Sequence, residues 1–135
     1  MDAKTLETFD ASLERCTEKE GFFDRFYEKF LASSPKVKEK FAQTDFKRQK
    51  KALRTSLYMM YLAAANEKKN PGRYLRDLAE RHSRRDLDIG SDYYDLWLDS
   101  LLDTAREFDP EWSEEIEQAW ERVMMVGISY MLGRY

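Results

Sequence analysis

Between Gly21 and Pro35 the chain reads GFFDRFYEKFLASSP, and Phe22, Phe23, Phe26, Tyr27 and Phe30 recur at one-, three- and four-residue intervals. That spacing lays all five rings on one wide helical face, so the segment is predicted to be a core helix with other helices packed on it. Proline disfavours helix in the residue before it, which ends the segment at Pro35. Leu6, Phe9 and Leu13 make a narrower stripe that predicts a short, weakly held first helix. PKVKEKFAQ, with Pro35 at a first helical position, reads as a short helical turn that delivers Phe41 inward. Asp45 is placed to cap a long helix through FKRQKKALRTSLYMMYLAAA, on which Gln49, Leu53, Leu57 and Met60 share a face. After the loop NEKKNPG, Asn70 and Pro71 can start RYLRDLAERHS, on which Leu75, Leu78 and His82 line up. Ser91 or Asp92 can cap YYDLWLDSLLDTAREF, and Asp109 with Pro110 can start a last helix from about Trp112. Six or seven helices, with no linker and no internal repeat, predict a single all-α domain over residues 1–135.

Five Gly and three Pro in 135 residues are too few for a turn-rich β sandwich. The formal net charge is -3, and the basic residues read as alternating with acidic ones, which offers nucleic acid no footprint. Cys16 stands alone, so no disulfide can form within the chain, and one Cys with one His is too few for a zinc site. A reducing cytoplasm is the expected location. The segment MDAKTLETFDASLERC has no apolar signal core, and no stretch approaches the length of a membrane span. Gly-rich nucleotide loops and electron-transfer motifs are not visible, so any reductant would come from a separate protein.

His82 is the only histidine. On an apolar helix face it points inward, where a histidine taken alone is more often a hydrogen-bonded core residue than a ligand. Its company changes that reading. FYEKFLASSPKVKEKF, QKKAL, LAERH, YYDLW and a last helix containing AW follow one another along the chain. This ordered set resembles the globins, and more narrowly the bacterial single-domain hemoglobins and the globin domain of flavohemoglobins. The resemblance covers nearly the whole chain. It implies a globin fold around a heme pocket, one b-type heme held without covalent attachment (no CxxCH motif is present), and O2, CO and NO as ligands.

The resemblance also implies roles. His82 takes the proximal position; heme iron needs an axial donor, and no second imidazole exists. The Leu78 carbonyl, one turn back, is placed to accept from the other ring nitrogen. Phe26, Tyr27, Pro35 and Phe41 match the family's Phe-Tyr pair, its Pro and its heme-contacting Phe. Gln49 and Leu53 match the QxxxL that faces the bound gas. Tyr27 and Gln49 are thus the implied hydrogen-bond donors, and Leu53 and Phe41 the apolar walls. Leu78, Leu87, Tyr94 and Arg85 complete the implied heme contacts. Tyr94 matches a tyrosine that, with a glutamate near the C-terminus, buttresses the proximal histidine in relatives. The equivalent last-helix position falls at or past Tyr135 and no carboxylate matches it, so a strongly basic proximal histidine is not implied here. Lys50, Lys51, Arg84 and Arg85 are either propionate partners or a solvated rim.

Met59, Met60, Met124, Met125 and Met131 read as core filler and Cys16 as a minor packing residue. The run 58-YMMY-61 with Tyr93, Trp97 and Trp112 fits either an oligomer interface or the inside of a bundle, so monomer and homodimer both stay open. Three functions follow: a heme protein that binds oxygen and, with a separate reductase, turns nitric oxide over to nitrate; a heme sensor acting through a partner protein; or a heme-free helical interaction module.

Overall fold

The computed structural model describes residues 1–135. It contains seven helices: α1 Ala3–Glu18, α2 Phe22–Ala32, α3 Pro35–Lys40, α4 Phe46–Ala65, α5 Gly72–His82, α6 Ser91–Phe108 and α7 Glu114–Gly133. Local chemistry sets most of the boundaries. Asp2, Ser34, Asp45 and Ser113 accept backbone N–H bonds at the starts of α1, α3, α4 and α7, and Pro35 occupies the first turn of α3. Gly21, at φ +93, turns the chain from α1 into α2 in a conformation that side chains resist.

Three starts differ from expectation. Gly90, not Ser91 or Asp92, is the N-cap of α6, and it provides no side-chain bond. Pro71 precedes α5 without a side-chain cap. Asp109 ends α6 and accepts from the Glu111 N–H, while Ser113 caps α7. The reason for the last difference lies in long-range contacts of the Asp109 carboxylate.

The first helix is neither short nor weakly held. It runs for 16 residues and buries Phe9, Ser12 and Cys16 completely. Ser12 Oγ donates to Asp109 Oδ2 (2.6 Å), Trp120 Nε1 donates to Ser12 Oγ (2.9 Å), and the Arg15 guanidinium grips both Asp109 oxygens at 2.8 and 2.9 Å. One carboxylate thereby ties α1, the α6–α7 turn and α7 together. Cys16 is part of this core, and burial pushes its thiol up to about 12.

Around that end α1 packs on α7 and α2 on α6, while α4, α5 and α7 pack on one another. Gly127 of α7 lets α4 come close: a Cβ there would stand 2.6 Å from the Met60 methyl. α6 makes no substantial contact with α4 or α5, and Phe41, Phe46, Leu78, Ile89 and Trp97 on the surrounding elements stay half-buried. No helix is long and apolar enough to cross a membrane.

Candidate functional site

His82 is the last residue of α5, and the turn after it folds back onto the helix end. The N–H groups of Leu87, Ile89 and Asp88 donate to the carbonyls of Arg81 (3.1 Å), His82 (2.9 Å) and Ser83 (2.8 Å), satisfying acceptors that a helix C-terminus leaves unpaired. Asp88 takes φ +55 to make this turn, a conformation that Asp tolerates better than most residues. With its backbone so fixed, the imidazole is fixed too: Nδ1 lies 2.8 Å from the Leu78 carbonyl. A carbonyl can only accept, so Nδ1 carries the proton and Nε2 keeps its lone pair. Burial, assisted by the Arg81 charge, lowers the His82 pKa from its ordinary value against the opposing pull of the Leu78 bond and Asp86, which favours the neutral ring. Tyr94 lies beside it, with ring centroids 6.5 Å apart, but its hydroxyl donates to the Met131 sulfur (3.6 Å) and leaves His82 alone.

The second cluster is built by α2, α3 and α4. Tyr27 is buried against the rings of Phe26, Phe41 and Phe46 at 4.9, 5.9 and 5.3 Å. Gln49 Nε2 donates to Tyr27 Oη (3.1 Å), and the tyrosine donates to no protein group in return. Burial pushes its pKa up to about 12, so the phenol stays protonated and keeps a donor to offer. Leu53, one turn further along α4, is buried on the same face as Gln49. The structure thus brings Tyr27, Gln49 and Phe41 together, and separately His82, Leu78 and Tyr94. It leaves Arg85 and Leu87 exposed in the α5–α6 turn, where the Leu87 carbonyl accepts from Lys40 Nζ at 2.7 Å. Of the other candidate basic groups, Lys50 pairs with Asp24 and Arg84 stacks on Tyr135.

Two aromatic members were missed in the sequence. Phe46 stacks on Phe41 with centroids 6.0 Å apart; it stands three residues before Gln49, so extending the Gln49–Leu53–Leu57–Met60 stripe back one turn would have found it. Trp97, half-buried on α6, sets its ring 6.2 Å from Phe26. Of the residues weighed for an interface, Tyr58 is 55% exposed, whereas Tyr93, Trp97 and Trp112 are half-buried.

Charge is less evenly mixed than expected. Residues 35–54 hold eight basic and two acidic residues, an excess of six positive charges, while the rest of the chain holds 15 basic and 24 acidic, an excess of nine negative. The modest net charge of -3 hides this separation because the two parts nearly cancel.

The globin family model matches residues 24–131. A solved structure from Pseudomonas aeruginosa PAO1, described as structurally highly homologous to a human hemoglobin, superposes with a TM-score of 0.91 at 40% identity, covering 97% of this chain and 98% of that one. No curated protein matches. With seven helices in this arrangement and a family match over most of its length, the chain belongs to the globin family.

Proposed function

We propose that the chain holds one b-type heme between α4, α5 and α6, with His82 Nε2 on the iron, and binds diatomic gases on the side of Tyr27 and Gln49. The observation that carries this is the state of the only histidine: its Nδ1 proton is committed to Leu78, which leaves Nε2 as a lone-pair donor. The separation of α6 from α4 and α5, bordered by half-buried aromatic and aliphatic residues, suits a flat apolar cofactor. A heme there would supply a ferrous iron able to take O2, CO or NO.

The residues on the gas side then have distinct tasks. Tyr27 offers its hydroxyl proton to a ligand that gathers negative charge, and Gln49 orients that hydroxyl from behind. Leu53, Phe41 and Phe46 exclude water. Gas binding extends to conversion of nitric oxide to nitrate when a separate reductase serves the same site; sensing through a partner protein has no feature of its own in its favour. Purified protein should show ferric, ferrous and CO spectra of a five-coordinate heme protein, since no histidine other than His82 exists to close the gas side. Stopped-flow gas release is the test of the pocket. Each charge-assisted bond is worth about 1.5–3 kcal/mol, so Tyr27→Phe should speed oxygen release roughly ten- to a hundredfold, Gln49→Leu somewhat less, and CO release should barely change. Oxygen release unchanged in both variants overturns the assignment of this pocket.

A further inference from the structure

We infer that the exposed face of α3 and the first turns of α4 docks an acidic electron-carrier protein, a step beyond the proposed function that rests on its reductase-dependent form. The excess of six positive charges over residues 35–54 is little compensated. Lys36 pairs with Asp92 and Lys50 with Asp24. Lys40 is held by the Leu87 carbonyl and Arg54 lies over the Phe23 ring, so neither is neutralised. Lys38, Lys47, Arg48 and Lys51 are exposed and take part in no ion pair.

This arrangement works against the helix that carries it. Beyond its Asp45 cap α4 has no acidic residue in its first turn, where the macrodipole favours negative charge, and Lys47, Lys51 and Arg54 repel one another at three- and four-residue spacing. Stability would be served by acidic residues here; a partner with the opposite charge explains the basic ones. The position also suits a donor. Lys40 adjoins Phe41 and Lys47 adjoins Phe46, so the cations flank the aromatic pair beside Tyr27. A long polyanion fits less well, because beyond this face it would meet a chain carrying nine excess negative charges. A protein with a bounded acidic patch avoids that repulsion.

The test uses oxidised flavodoxin, an acidic one-electron flavoprotein, with the heme-loaded chain. Calorimetric titration at low and moderate salt is paired with carbodiimide cross-linking, which joins lysine amines to carboxylates in contact. Cross-links at Lys38, Lys47 and Lys51 are expected, as is an affinity that falls about tenfold or more both with added salt and in the triple variant Lys38→Glu, Lys47→Glu, Arg48→Glu. Cross-links confined to other elements, or equal affinity in the triple variant, overturn the docking surface. So does tighter binding of a 20-base-pair DNA duplex, or of phosphatidylglycerol vesicles, than of flavodoxin at the same salt. The absorption spectrum of the same sample separates the two failures. No heme uptake overturns the gas-binding reading and this inference with it, whereas normal heme uptake without salt-sensitive flavodoxin binding overturns the docking surface alone.

Discussion

The two ends of the molecule are finished differently. Where α1 crosses α7, Phe9, Ser12, Cys16 and Trp120 are fully buried, and Asp109 spends its carboxylate on two side chains, Ser12 and Arg15, and a backbone N–H. On the side where α4 and α5 stand apart from α6, Phe41, Phe46, Leu78, Ile89 and Trp97 stay half-buried, Tyr27 has a proton with no protein acceptor, and His82 has a nitrogen with no protein donor. Apolar surface left half-buried forgoes stability that a bound ligand would restore.

Substitutions should expose this contrast first as stability. Trp120→Ala empties a fully buried site and removes the bond to Ser12, so it should cost about 3–5 kcal/mol in urea unfolding of the apoprotein. Trp97→Ala, on the half-buried side, should cost about 1–2 kcal/mol there while loosening heme retention. Equal costs in the apoprotein would erase the distinction between the ends.

Asp109→Asn is the next largest change. It takes from Arg15 the buried one of its two charge partners, leaving only the exposed Glu111, and should cost about 3 kcal/mol at neutral pH. Burial raises the Asp109 pKa, but the bonds from Arg15, Ser12 and Glu111 outweigh it and hold the carboxyl below its ordinary 3.8. The unfolded state therefore binds the proton first on acidification. The stabilisation is complete above the unfolded value of 3.8 and is lost as pH falls through the lower folded value. Wild type and Asp109→Asn should converge only in strong acid; convergence already at pH 5 would mean that the carboxylate contributes little.

Smaller effects sharpen the comparison. Tyr27→Phe removes the acceptor for Gln49 and should lower apoprotein stability by about 1 kcal/mol, far less than its consequence for oxygen release. Cys16, with its thiol pushed up to about 12, should resist thiol reagents at pH 8 until the packed end opens, which makes its labelling rate a local probe of that end.

The half-buried side was the more legible in the sequence because its residues carry the ordered motifs of a family. The structure places Tyr27, Gln49 and Phe41 together as the resemblance implied, and binds His82 to Leu78 as one-turn helical spacing implied. Phe46 escaped because it sits at the helix start, where the stripe has only one turn behind it. The packed end was underestimated because its anchors are polar: Ser12 and Asp109 look like surface residues, and only contacts about a hundred positions apart turn them into core. Asp109 read as a cap for the same reason, and the length of α1 was hidden with it. Charge was misjudged because a whole-chain balance cannot reveal where the cations lie.

The central proposal is that the half-buried side holds a heme through His82, and it is tested most directly by heme titration of apoprotein from wild type and His82→Gly, followed by addition of free imidazole. Wild type should take up one heme per chain with a five-coordinate ferrous spectrum. The glycine variant should fold, retain heme poorly with an altered spectrum, and recover the wild-type spectrum when imidazole fills the vacated space as a replacement ligand. A glycine variant with unchanged stoichiometry and spectrum, indifferent to imidazole, would contradict the account.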